Sequence, residues 1–284
     1  MGGPEKQAIY RSSDGGGHFD EVGSINLKPA SVPGCDPNEW IIYGSGATAA
    51  DGTLYLGARL CQQFAVAVSG DEGATWGVHT VPNTALRPID TRTITTITSN
   101  ENVLVTEPLA TDREGNLYAV WVDADDMLRL ATSQDKALTW SPPLAIRAPG
   151  LTSVRYGSVT VHAKGAIAIA YYGTRDGVRY DGYVAESLNA LDAEPVFWSS
   201  TVNDPADPLF SQGFDSGYLS LLSGGDLVEI VQVKYAPNGD IWAAFVKDMC
   251  PGAGTSPVDC VDWDPSAHGA SGFQGVVGRL VHQH

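Results

Sequence analysis

One eight-residue turn constrains this chain more than anything else in it. Ser69-Gly70-Asp71-Glu72-Gly73-Ala74-Thr75-Trp76 has the form Ser-x-Asp-x-Gly-x-Thr-Trp and lies between two alternating apolar runs, Phe64 to Val68 and Val78 to Val81. Period-two alternation on either side of a short polar, Gly-bearing stretch predicts a β-hairpin. Each residue type has a job in such a turn. The short Asp side chain accepts from turn N–H groups, Gly takes positive φ, and Trp covers the base of the sheet. Ser133-Gln134-Asp135-Lys136-Ala137-Leu138-Thr139-Trp140 keeps the frame, and Ser12-Ser13-Asp14-Gly15-Gly16-Gly17-His18-Phe19 keeps Ser, Asp, Gly and an aromatic.

A second phrase at fixed distance makes these hairpins parts of repeats. Gly52, in Asp51-Gly52-Thr53-Leu54-Tyr55-Leu56, stands 19 residues before Asp71, and Gly115, in Glu114-Gly115-Asn116-Leu117-Tyr118-Ala119, stands 20 before Asp135. The same Gly-led strand returns at Gly165 to Tyr171 and at Gly239 to Phe245. Repeats of roughly 40–60 residues, each of several short strands, predict an all-β fold, a β-propeller of four-stranded blades. Residues 36–85 and 101–148 read as complete units, with inner strands at Trp40 to Tyr43 and Val103 to Val105. Residues 152–203 form a third whose turn has decayed to Glu186-Ser187-Leu188-Asn189. Residues 5–33 hold only an outer hairpin, and the last unit, Asp226 to Val233, Ile241 to Val246 and Val276 to Val281, lacks an outer strand. Two readings stand: a closing blade shared by both ends, or a piece of a larger propeller.

Composition narrows the partners. With 43% hydrophobic residues in 284, the chain can bury a large core, and no run approaches the ~18 apolar residues of a membrane span. Its net charge of −16 argues against a nucleic-acid partner and repels anionic ligands at long range, so such a ligand would need a local Arg cluster. Cys35 with Cys61 and Cys250 with Cys260 suit disulfides, with free buried thiols as the alternative. Pairing would imply an extracytoplasmic protein. Met1-Gly2-Gly3-Pro4 is no signal peptide, so a leader would be absent from this chain. The six His show no metal-ligand spacing.

The turns and Gly-led strands together resemble the sialidase (neuraminidase) superfamily with its bacterial-neuraminidase, or Asp-box, repeats. The similarity runs through most of the chain. It implies a single sialidase-like propeller domain over residues 1–284, truncated at the N-terminus if the usual six blades apply, since about five units are visible. It further implies a monomeric exo-glycosidase that takes terminal acidic sugars of glycans and needs no cofactor or metal. The alternative is a catalytically inactive propeller that binds glycan or protein, because such turns lie on the outer rim and fold does not fix function.

In a propeller the innermost strands line the axis, so polar residues beginning them converge. These are Glu39, Glu107, Arg155 with Tyr156, and Asp226 with Glu229. Sialidases hold the substrate carboxylate with three Arg, use a Tyr activated by a Glu as nucleophile and an Asp as acid/base, a departure from the two-carboxylate scheme. Tyr218, in Gly217-Tyr218-Leu219-Ser220-Leu221, resembles the family's last-blade Tyr-Ser segment, with Glu229 as its activator and Asp226 and Glu107 as further catalytic carboxylates. Arg155 is the leading carboxylate-binding candidate, with Tyr156, Arg92 and Arg179 beside it. No Arg-Ile-Pro segment precedes the first turn, where the family has its first triad Arg.

Overall fold

The computed structural model describes residues 6–26, 42–60, 63–86, 108–211, 231–248 and 273–280. Its elements are all β-strands: β1 (Lys6–Arg11), β2 (Asp20–Asn26), β3 (Ile42–Thr48), β4 (Leu54–Leu60), β5 (Gln63–Ser69), β6 (Gly77–Thr80), β7 (Leu109–Thr111), β8 (Leu117–Val122), β9 (Leu128–Ser133), β10 (Leu144–Ile146), β11 (Ser153–Ala163), β12 (Ala166–Thr174), β13 (Tyr180–Ser187), β14 (Trp198–Thr201), β15 (Gln232–Tyr235), β16 (Ile241–Asp248) and β17 (Phe273–Leu280). Successive strands pair antiparallel into five sheets, β1-β2, β3 to β6, β7 to β10, β11 to β14, and β15 to β17. The first strands touch in sequence, β3 beside β7, β7 beside β11 and β11 beside β15, so the four-stranded sheets are propeller blades with their inner strands on one side.

Period-two patterning explains why the blades stack. In β8, Leu117, Ala119 and Trp121 face the β3–β6 blade, where they meet Tyr55, Phe64 and Val66. Tyr118 and Val120 face the other way, toward Ile167, Ile169 and Tyr171 of β12. Ala168, Ala170 and Tyr172 of β12 then join Val233, Ile241 and Phe245 of the last sheet. Strands buried on both faces read as near-continuous apolar runs, and all nine residues of β12 are buried. Tyr172 ties two blades by its ring and its hydroxyl. The ring meets Phe210 and Phe245 edge-on at 5.4 and 5.2 Å, and the hydroxyl accepts from Val246 N at 2.8 Å.

The recurrent turn folds alike each time. Asp71 accepts from Ser69 Oγ (2.9 Å), Thr75 N (2.9 Å) and Thr75 Oγ1 (2.6 Å), while Ser69 Oγ accepts from Gly73 N (2.9 Å). Ser133, Asp135, Ala137 and Thr139 reproduce the same set at 2.9, 2.8, 2.5 and 3.0 Å. In the decayed turn Asn189 Oδ1 still contacts Ser187 Oγ (3.2 Å) and accepts from Val196 N (2.9 Å). Trp76 is half-buried, its indole N–H donating to Gly73 O (2.9 Å), so it closes the turn more than it fills the core.

The hairpin β1-β2 docks on the Asp71 turn, where a Cβ on Gly23 would come within 2.4 Å of Gly73 O and Ala74 O. The described inner strand of the second complete blade is Leu109–Thr111 and that of the last is Gln232–Tyr235, while Val103 to Val105 and the expected start at Asp226 lie outside the described residues. Trp40 and the four Cys lie outside the described residues as well.

Candidate functional site

Arg155 starts the inner strand β11 at the end of the molecule that also carries the β8–β9 and β12–β13 turns. The pairing of β11 with β12 breaks register between Arg155 and Ser158, and Tyr156 sits there at φ +50°. A non-glycine residue in that region is uncommon and is held by its surroundings. The bulge turns neighbouring side chains away from strict alternation, and Tyr156 meets Tyr172 edge-on at 6.3 Å.

The β8–β9 turn supplies the partner. Asp123 Oδ1 accepts from Asp125 N (2.9 Å) and Met127 N (3.1 Å), which closes the turn and leaves Asp126 at φ +59°. Val154 N donates to Asp126 O (3.0 Å), fastening the turn to β11. Arg155 Nη1 reaches Asp126 Oδ1 (2.9 Å), Ser153 Oγ (2.6 Å) and Val154 O (2.9 Å). The Arg155 side chain is 8% exposed and that of Asp126 32%. The guanidinium carbon also lies 6.0 Å from the centre of the Tyr180 ring. A buried cation with a partly exposed carboxylate beside it is a place where an incoming anion or hydroxyl meets fixed charge of both signs.

Arg179 precedes Tyr180, the first residue of β13, whose ring lies near the Arg155 guanidinium. Arg179 is half-exposed, and its Nε donates to Asp176 Oδ2 (2.7 Å), which also accepts at Oδ1 from the backbone N–H groups of Val178 and Arg179. Next along β13, Asp181 accepts from Asn203 Nδ2 (2.8 Å). Burial pushes its carboxyl above the ordinary value, against the Asn203 bond and the cations Arg175 and Arg179.

Of the candidates, Arg155, Tyr156 and Arg179 are therefore placed at one end of the molecule. Arg92, Glu107, Tyr218, Asp226 and Glu229, with Glu39, lie outside the described residues. Sequence reasoning passed over Asp126, Asp181 and Ser153. The available signal for Asp126 was the run Asp123-Ala124-Asp125-Asp126, three carboxylates in a turn at the axial end of a blade. Among the described residues no group of three or more His, Cys, Asp or Glu is placed to hold a metal ion, and no helix is long and apolar enough to cross a membrane.

No family model matches the sequence, and no curated protein matches it. Solved structures do. The NanB sialidase from Streptococcus pneumoniae superposes with a TM-score of 0.51 at 17% identity, over 84% of this chain and 32% of that one. The intramolecular trans-sialidase from Ruminococcus gnavus gives 0.50 at 12% identity, over 84% and 45%. A protein of unknown function from Dyadobacter fermentans gives 0.53 at 11% identity, over 96% and 62%. This chain thus spans about a third of the length of NanB. At such identities the likeness is one of architecture: the chain has a sialidase-like fold.

Proposed function

We propose that the chain is an exo-glycosidase of the sialidase type acting on terminal acidic sugars, exported, and folded as one propeller domain with Asp-box turns on its rim. The observation that carries this reading is the buried Arg155 guanidinium, set at the start of an inner strand by a register break and pinned by Asp126. A planar guanidinium offers two parallel donors to a carboxylate, which Lys cannot copy. The sialidase-like architecture supports a carboxylate-bearing sugar as the ligand. In this reading Tyr218 is the nucleophile, Glu229 its activator, Asp226 and Glu107 the further carboxylates, and Tyr156, Arg92 and Arg179 line the substrate.

Turnover of a panel of fluorogenic sialosides tests it. Arg155→Lys and Tyr218→Phe are each expected to lower kcat/KM by at least ~10²-fold with an unchanged melting curve, because an anion clamp and a positioned nucleophile act mainly in the transition state. Turnover unaffected by both changes would sink the reading. A second reading, an inactive propeller that binds glycan, is favoured by one observation. Arg155 Nη1 already contacts Asp126, Ser153 and Val154 O, so a ligand carboxylate competes with an internal one. Under it no sialoside turns over, and Arg155→Lys only weakens glycan retention.

A further inference from the structure

The last sheet differs from the complete blades in what its third strand carries. β5, β9 and β13 each pair on their outer side with a short antiparallel strand, β6, β10 and β14, of four, three and four residues. β17, the third strand of the last sheet, pairs with β16 alone among the described residues. Its outer edge lacks the features that keep an open strand from accepting another. It is eight residues long, holds its register with β16 at every position from Phe273 to Leu280, and contains no Pro or Lys. Its one charged side chain, Arg279, is turned back onto its own sheet. There Nε donates to Asp240 Oδ2 (2.8 Å), and the guanidinium carbon lies 5.7 Å from the centre of the Trp242 ring.

An apolar shelf stands beside this edge on the β11–β14 blade. Trp198 pairs with Glu186, and so shares the face on which the Glu186 carboxylate accepts from the Tyr235 hydroxyl of the last sheet (3.1 Å). β17 comes close to that blade just past the end of β14, where a Cβ on Gly278 would lie 2.8 Å from Val202. At the other end of β14, Trp198 is 57% exposed, and Val196 and Leu188 of the same turn are exposed too. Matching the turns shows what these residues replace. Val196 N donates to Asn189 Oδ1 as Thr75 N donates to Asp71 and Thr139 N to Asp135. Leu188, Val196 and Trp198 therefore stand where the first turn has Gly70, Thr75 and Gly77, and the second Gln134, Thr139 and Ser141. Three small or polar positions have become large and apolar in the one complete blade whose outer strand faces a sheet with no fourth strand among the described residues. An exposed apolar patch beside an unpaired edge supplies both parts of a strand-addition site, main-chain groups for affinity and a surface for alternate side chains.

We propose that the step between β17 and this rim accepts an extended segment of another protein as a fourth strand, antiparallel to β17, with alternate apolar side chains toward Trp198 and a cation at its end. Two observations give that chemistry. The added strand continues an existing apolar interface, because Val276 and Leu280 of β17 already pack against the cluster that contains Val184 of β13. Asp192 and Glu194, both exposed, lie in the turn that carries Val196, with Asp192 Oδ2 held by Asn189 Nδ2 (3.0 Å), so the rim of the shelf is acidic.

The test is a titration of the folded chain into the labelled peptide Lys-Val-Thr-Val-Thr-Val-Lys, read by fluorescence anisotropy. One comparison peptide carries Pro in place of both Thr, and another carries Glu in place of both Lys. Saturable binding of the first peptide is expected, weakened about tenfold by Trp198→Ser, which removes the aromatic anchor. The Pro peptide, which cannot join a strand ladder, and the Glu peptide are expected to bind far more weakly. Arg155→Lys is expected to bind the first peptide as the wild type does. Val196→Ser, a smaller change on the same shelf, serves should Trp198→Ser fold poorly. Hydrogen exchange separates strand addition from mere adhesion to Trp198, because the bound peptide should slow amide exchange in β17 and leave β1 unchanged. No saturable binding, equal binding of the Pro peptide, or unchanged exchange in β17 each overturns the proposal. A wild-type dimer in sedimentation that the peptide does not displace overturns it too, and gives the edge to a second copy of this chain.

Discussion

Asp71 is an exposed carboxylate whose contribution comes entirely from the donors around it. Thr75, through its hydroxyl and its N–H, and then Ser69 hold its carboxyl below the ordinary value. A folded-state value depressed below the unfolded one, about 3.9, gives stability that is complete above that value and is lost as pH falls through the folded one. The melting-temperature gap between the wild type and Asp71→Ala is therefore expected to be full at neutral pH and to narrow once pH drops below about 4. Asp71→Asn is expected to cost less than Asp71→Ala, because Asn189 does the same work in the decayed turn. Equal losses from the two variants, or a gap that widens in acid, would contradict the role given to the side chain. The paired tyrosines give a second contrast. Tyr118→Phe strips a partner from Gly165 N and from Asp112 Oδ2, and is expected to cost about 1–3 kcal/mol in denaturant melts. Tyr55→Phe removes a buried hydroxyl that makes no well-formed hydrogen bond among the described residues, and is expected to be neutral or stabilising. The turn residues were legible in the sequence because every contact lies within eight positions. The contact of Arg155 with Asp126 was not, because it joins two blades through a register break that no pattern announces.

At the scale of elements, the Gly-led phrases did mark the second strand of each blade: β4, β8, β12 and β16 begin one or two residues after Gly52, Gly115, Gly165 and Gly239. The inner strands expected at Val103 to Val105 and from Asp226 lie outside the described residues in whole or in part, and the short inner strand Leu109–Thr111 carries little apolar signal of its own. The docking of β1-β2 was also illegible, because it depends on a close approach between backbones. Gly23 carries that approach, since a Cβ there meets two backbone carbonyl oxygens at 2.4 Å, and backbone cannot swing aside as a side chain can. Gly23→Ala is expected to push the hairpin off the Asp71 turn. Overpacking of this kind costs about 1–3 kcal/mol, here drawn from one element's docking. Limited proteolysis should then cut within residues 6–26 faster than in the wild type while the blades stay resistant. Unchanged cleavage would mean that the hairpin is held by other contacts, of which Arg11 with Glu72 is the nearest.

Over the whole molecule, the described residues of each blade bury themselves against neighbouring blades, so stability is a sum of blade and interface terms instead of one shared core. The three apolar clusters follow the chain in order, each made by two successive blades. The interface terms are unequal. β12 is buried on both faces along all nine residues, because blades flank it on either side. β1 is mostly exposed. β17 pairs with β16 alone among the described residues and leaves Val277 63% exposed. Local opening free energies run from near zero at exposed edges to the global value in doubly buried strands. Native-state hydrogen exchange should therefore be graded along the array, slowest in β12 and β8, intermediate in β4 and β16, and fastest in β1 and β17. The same grading should persist in Arg155→Lys, because that substitution keeps a cation opposite Asp126 and leaves the apolar cluster between the two blades unchanged. Uniform protection from β1 to β17 would refute the additive picture, since it requires the array to open as one cooperative unit.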